Sequence, residues 1–212
     1  MAVVVVGGQT RNIGKTSVVA GLIAALPEFR WTAFKVTQYG HGFCTADGKP
    51  CQCQTADACV SVSAERDAAS GTDTARFLAA GAARSIWVRT RMGMLAQAMP
   101  RIEREIARSE NAILESNSIL EFMRPDLYLS VVDPSVEDFK DSARRFLERA
   151  DAVLWSAGST ADQESGTQNG GLRDQPRFAI VPPDYVSGEL IAFVRSRLDA
   201  CQRIVGVPIL SS

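Results

Sequence analysis

The sequence predicts an open α/β fold: a mostly parallel central sheet with helices on both faces. Three observations lead there. Short apolar runs alternate with amphipathic stretches along all 212 residues. The first run, Val3-Val4-Val5-Val6, is continuous and β-branched, as expected of a strand buried on both faces. A Gly-rich turn joins that run directly to a helical stretch, and such alternation implies parallel strands linked by helical crossovers.

The elements follow in order. Residues 3–6 form the first strand. Residues 16–26 form a helix stopped by Pro27, and residues 31–36 a second strand. Residues 37–71 are rich in Gly, Cys, Asp and Ser, hold no periodicity and are expected to be irregular. Thr72 or Asp73 can cap a helix reaching about Ala80, and residues 85–89 are strand-like. Residues 92–108 have helical periodicity, with Pro100 as a break or kink. Residues 112–115 and 127–132 are strands. Asp133-Pro134 is a helix-start signature, and the helix it opens is expected to run to about Arg149. Strands at 152–155 and 178–181 enclose a polar, Gly-rich loop at about 157–176. A helix over 187–198 follows, and residues 205–210 suit a last strand. No internal repeat and no long linker divides the chain, so one domain spanning 1–212 is expected, with a Cys-rich insertion at about 38–71.

Composition narrows the function classes. Hydrophobic residues make up 46% of the chain, enough for a substantial core. Lys and Arg number 23 against 24 Asp and Glu, so no bulk charge draws the chain to nucleic acid or to an anionic membrane. No apolar stretch is long enough to span a bilayer, and the N-terminus lacks a signal-peptide pattern. A soluble, cytoplasmic protein is expected, with its five cysteines as reduced thiols or metal ligands rather than disulfides. The charged run 101–108 suits a solvated helix face.

The chemistry concentrates after the first strand. Gly8-Gln9-Thr10-Arg11-Asn12-Ile13-Gly14-Lys15-Thr16 leads from a buried strand into a helix, the context a phosphate loop requires. Glycines let the backbone approach an anion closely, and the N–H groups and dipole of the helix start attract it. Lys15 would supply a point charge to the β- and γ-phosphates of ATP or GTP, and the Thr16 hydroxyl would bind Mg²⁺. Gly8 to Thr16, with Ser17, are the candidate nucleotide-binding residues. The usual phosphate-loop spacing requires glycine where Gln9 stands, so this loop is one residue longer. Glu115 follows a short apolar run at the carboxyl end of a strand, where α/β sheets bind ligands; it is either a Mg²⁺ carboxylate or a solvated strand end.

The longer loop resembles that of the dethiobiotin synthetase family, with a Gly, five residues, then Gly-Lys-Thr. Together with the segments below, the chain resembles the P-loop NTPases of the SIMIBI class that include dethiobiotin synthetase and molybdopterin-guanine dinucleotide biosynthesis protein B. The resemblance implies that Lys35, in Ala33-Phe34-Lys35-Val36-Thr37, ends the second strand near a substrate. It implies that Asp73, in Thr72-Asp73-Thr74-Ala75-Arg76-Phe77, begins a helix and helps hold Mg²⁺; Asp73 as a plain helix cap is the alternative. Ile113-Leu114-Glu115-Ser116 stands where these families place Glu-Gly, giving Glu115 a Walker-B-like role with Ser116 in place of the glycine. Lys15, Lys35 and Glu115 are thus the candidate catalytic residues. A homodimer is expected by analogy.

A second cluster has the spacing His41-x₂-Cys44-x₆-Cys51-x-Cys53-x₅-Cys59 and contains the only histidine. It suits Zn²⁺ or an iron–sulfur cluster, or equally a set of reduced thiols. Two function classes follow. One is a Mg²⁺-dependent NTP hydrolase or phosphoryl-transfer or ligase-type enzyme acting on a small molecule. The other is a nucleotide-dependent switch or metal carrier that uses the Cys-His loop. No Asn/Thr-Lys-x-Asp guanine signature is found, a lean toward ATP over GTP.

Overall fold

A computed structural model describes residues 1–40, 59–156 and 175–205. Among them are eight strands: β1 (Val3–Gly8), β2 (Trp31–Tyr39), β3 (Val60–Ala64), β4 (Arg84–Arg91), β5 (Asn111–Glu115), β6 (Leu127–Val132), β7 (Ala152–Ser156) and β8 (Arg177–Ile180). They form one sheet in the order β3-β4-β2-β5-β1-β6-β7-β8. All neighbours pair in parallel except β3 and β4. The helices are α1 (Lys15–Ala25), α2 (Asp73–Ala79), α3 (Leu95–Ala107), α4 (Asp141–Leu147) and α5 (Gly188–Val205).

Both faces of the sheet are covered, and β1 shows how. Val4 and Val6 join a core with Val18, Val19, Leu22 and Ile23 of α1 and Leu190, Val194 and Leu198 of α5. Val3 and Val5 point the other way, to Leu95, Met99, Ile102 and Ile106 of α3 and Phe146 of α4. A continuous apolar strand is therefore required at the centre of the sheet. α3 stays continuous through Pro100, which is on the exposed side, where water can satisfy the carbonyl left without a donor.

Three expectations need correction. Residues 37–71 are not wholly irregular. Residues 37–39 extend β2, and Val60–Ala64 form an antiparallel edge strand whose Val60 and Val62 pack on the α3 core. The helix expected from Asp133 begins instead at Asp141. Asp133 Oδ1 accepts from Ser135 N and Oγ (2.9 and 2.6 Å), which closes a turn, and Gln9 holds the following backbone against the loop between β1 and α1. Val205 ends α5 rather than opening a strand. The rest of that expected strand, and residues 157–174 of the expected polar loop, lie outside the described residues. Among the described residues no helix is long and apolar enough to cross a membrane.

One buried polar side chain ties the amino edges of three segments together. Asn111, first residue of β5, accepts from Ala2 N at 2.8 Å and donates to Phe29 O at 2.7 Å. Truncation leaves both backbone groups buried without a partner, at roughly 1–3 kcal/mol each. Asn111→Ala is expected to lower the urea midpoint of unfolding accordingly, with an unchanged slope.

Candidate functional site

The site is at the carboxyl ends of β1 and β5, beside the middle of β2. Lys35 does not end its strand as expected, because β2 continues along β4 to Tyr39. β1 ends in Gly7-Gly8, and both glycines are needed. A Cβ on Gly7 would lie 2.3 Å from Asn117 Oδ1, and one on Gly8 would lie 2.9 Å from Val131 O. Asn117 uses its whole amide on Gly8, accepting from Gly8 N and donating to Gly8 O, each at 2.7 Å. The loop then turns through Asn12 (φ 59°) and Gly14 (φ 93°), and α1 begins at Lys15. A side chain at Gly14 would strike the Tyr185 ring, 2.6 Å from the ideal Cβ position.

Gln9 explains how a longer loop is held without the usual glycine. Its side chain is buried. Its amide oxygen accepts from Asp133 N at 2.9 Å, and its amide nitrogen donates to Val136 O. Its backbone donates to Val131 O (2.9 Å) and accepts from Lys140 N (3.1 Å). The Thr10 hydroxyl donates to Asp138. The loop between β1 and α1 and residues 133–140 are thus one hydrogen-bonded unit.

Lys15 donates to Thr10 O, folded back on its own loop. Burial lowers its pKa from 10.5 to about 8; Glu115 pulls it back up, while Lys140, Lys35 and Arg11 push it further down. Thr16 Oγ1 donates to Glu115 Oε2 at 2.8 Å. Glu115, with 5% of its side chain exposed, accepts from Lys35 Nζ at 2.6 Å. Lys35 and Glu115 face each other in the β2–β5 register. Lys35 Nζ also reaches Asp73 Oδ2 at 2.7 Å and Thr16 Oγ1 at 3.3 Å. Burial acts to lower the Lys35 pKa, but Glu115 and Asp73 outweigh it and the net shift is upward.

Asp73 is not the cap of α2. Thr72 is, accepting from Ala75 N at 3.0 Å, which leaves the Asp73 carboxylate to face Lys35. Thr72 is itself fixed by Glu65, which accepts from Arg66 N, Asp67 N and the hydroxyls of Ser70, Thr72 and Thr74. Those bonds, led by the backbone N–H of Asp67, lower the Glu65 pKa to about 2. Arg76 Nη2 donates to Ser17 Oγ at 2.9 Å and ties α2 to the start of α1.

Lys15, Thr16, Lys35, Asp73 and Glu115 therefore meet in one place. The Thr16 hydroxyl and the two carboxylates are hard oxygen donors, a set that fits Mg²⁺. Of the second cluster, His41, Cys44, Cys51 and Cys53 lie outside the described residues. Cys59 is exposed, and its carbonyl accepts from Arg91 N at 3.0 Å. Among the described residues no group of three or more His, Cys, Asp or Glu is placed to hold a metal ion. Sequence reasoning missed Asn117, Glu65 and Tyr185. Nothing local marked Asn117 or Tyr185; for Glu65 the hydroxyls of Ser70, Thr72 and Thr74 that follow it were a usable signal.

The fold is α/β: an eight-stranded, mostly parallel sheet covered by helices, with a glycine-rich loop between β1 and α1. No protein-family model and no curated protein matches the chain. Solved structures similar to it include HypB from Helicobacter pylori in complex with nickel, at 14% identity and TM-score 0.49, covering 99% of this chain and 91% of that one. MobB from Bacillus subtilis aligns at 16% identity and TM-score 0.41, covering 93% and 97%. The "apo" form of LpxK from Aquifex aeolicus in complex with ATP aligns at 16% and 0.45, covering 84% of this chain and 53% of that one. The likenesses are distant, with every one of these TM-scores below 0.5.

The Lys15 shift has a consequence for stability. Between about pH 8 and 10.5 the unfolded lysine binds more protons than the folded one, so the cost of its buried charge is full below pH 8 and fades as pH rises. Lys15→Met removes that cost. The stability of Lys15→Met relative to wild type is expected to be greatest near pH 7 and to decline toward pH 10, read by urea unfolding at several pH values.

Proposed function

We propose that the chain is a Mg²⁺-dependent nucleoside-triphosphate-binding protein whose loop 8–17 holds the phosphates and whose carboxylate pair holds the metal. The observation that carries this reading is a convergence: a positive-φ glycine opening a helix, a half-buried lysine beside it, and Thr16 bonded to a buried strand-end carboxylate. In the nucleotide complex the backbone N–H groups at the start of α1 contact the phosphates. Lys15 leaves Thr10 O for the β- and γ-phosphates. Thr16, Glu115 and Asp73 would hold Mg²⁺, which when bound neutralises phosphate charge. Catalysis is then positioning and charge stabilisation at the γ-phosphoryl group. The acceptor is water or a carboxylate-like small molecule near Lys35, and the chain works as an NTP hydrolase or a phosphoryl-transfer or ligase-type enzyme.

A switch is the second reading, and Gln9 favours it. Because Gln9 and Thr10 hold residues 133–140, a phosphate that reshapes the loop also moves that segment. An enzyme should release phosphate quickly only with a second substrate. A switch should respond to a protein partner or, for a metal carrier using the Cys-His loop, to a metal.

Calorimetry with ATP and GTP, with and without Mg²⁺, tests the reading. Mg²⁺-dependent binding is expected, weakened roughly 10–100-fold in Lys15→Ala, as loss of a charge-assisted hydrogen bond implies. No binding of either nucleotide to folded wild-type protein would exclude it. A phosphate beside Lys15 must also raise its pKa above about 8. Binding at pH 8.5 is therefore expected to take up protons, seen as a dependence of the heat on buffer ionisation enthalpy, and Lys15→Ala is expected to lose that uptake.

A further inference from the structure

Lys35 has an arrangement that its role beside a substrate does not require. A lysine ammonium carries three N–H donors and no acceptor. Here all three find oxygen: Glu115 Oε1 at 2.6 Å, Asp73 Oδ2 at 2.7 Å and Thr16 Oγ1 at 3.3 Å. Those are the oxygens of the carboxylates and hydroxyl that suit a divalent cation. The Thr16 hydroxyl is engaged both ways, giving its proton to Glu115 Oε2 at 2.8 Å and accepting from Lys35. Its register position opposite Glu115 fixes where the lysine side chain starts. A buried carboxylate needs a cation next to it, and Lys35 is the one in place.

We infer that the Lys35 ammonium is a stand-in for the divalent cation, holding Asp73, Glu115 and Thr16 together in the nucleotide-free protein and excluding the metal until a nucleotide arrives. This rests on the proposed function for the identity of the incoming ligand. The exclusion follows from charge and geometry. A dication on these oxygens and an ammonium among them repel each other at close range beside the buried Glu115, and the lone pairs facing the ammonium cannot serve both. The triphosphate changes the balance by offering Lys35 another anionic partner, so its side chain swings from the carboxylates to phosphate oxygens as the metal enters. Lys35 is thus a positioning residue for the metal before it is a neighbour of the reacting group. Free Mg²⁺ does not load the site; metal and nucleotide enter together.

Mn²⁺ alone is the probe, followed by electron paramagnetic resonance without nucleotide. Lys35→Met is expected to bind Mn²⁺ at least tenfold more tightly than wild type, while Lys35→Arg, which keeps a cation there, stays as weak as wild type. Lys35→Met leaves Glu115 without its ammonium and can lower stability, so its melting is followed as well: Mn²⁺ should raise its melting temperature and not that of wild type. Wild-type protein supplies an independent reading. The lysine ammonium ¹H–¹⁵N signal missing from the Lys35→Arg spectrum should be unmoved by millimolar Mg²⁺ alone. Equal Mn²⁺ affinity in wild type and Lys35→Met, or a wild-type signal displaced by Mg²⁺ alone, overturns the inference. Neither measurement uses nucleotide, so failure of the proposed function and failure of this inference are separately visible.

Discussion

Glu115 closes a five-residue strand at the centre of the sheet, and its carboxylate is almost out of water. A charge in that position is tolerated only with a partner and full hydrogen bonding; removing one member of such a pair costs about 3–5 kcal/mol. Much of the site's architecture meets that demand. β5 is between β1 and β2, so Lys35 can approach from one side and Thr16 from the other. α2 starts where Asp73 can share the lysine, and Thr72, fixed by Glu65, sets that start. The same oxygens, held close together, are the kind of set that the proposed Mg²⁺ site calls for, so the constraint that orders the fold here also groups these residues.

The phosphate loop answers a different demand. Its extra residue removes the usual glycine, and the chain fills that position with a side chain that works inward. Gln9 replaces conformational freedom with hydrogen bonds to residues 133–140. Lys15 bends back on Thr10 O, with burial weakening its hold on a proton. The loop is therefore kept in shape without an anion, by contacts that an anion would partly replace. Coupling between the phosphate loop and a surface segment follows from this bonding whether the protein is an enzyme or a switch.

What the sequence made legible follows the range of the interactions. Continuous apolar runs such as Val3-Val4-Val5-Val6 are a local signal for buried parallel strands, and the two-faced core around β1 bears that out. The grouping of Lys15, Thr16, Asp73 and Glu115 was likewise within reach, because each stands at a strand end or helix start that topology brings together; Lys35 joins them from the middle of β2, opposite Glu115. β3 was hidden because its Val-Ser-Val-Ser alternation is embedded in a Cys- and Ser-rich stretch. The helix expected after Asp133-Pro134 failed because a distant glutamine took Val136 O and Lys140 N, which that helix would have bonded to each other. Asn117 and Tyr185 act on Gly8 and Gly14 from far along the chain, a separation no local pattern encodes, whereas Glu65 binds groups no more than nine residues on.

The central claim is that the loop between β1 and α1 holds the phosphates of a nucleotide above Glu115. A crystal structure of the protein with Mg²⁺ and a non-hydrolysable ATP or GTP analogue tests it most directly. The account expects phosphate density against the backbone N–H groups at the start of α1, with Lys15 Nζ released from Thr10 O and placed on phosphate oxygens. An analogue bound elsewhere, with Lys15 still folded onto Thr10 O, would contradict it.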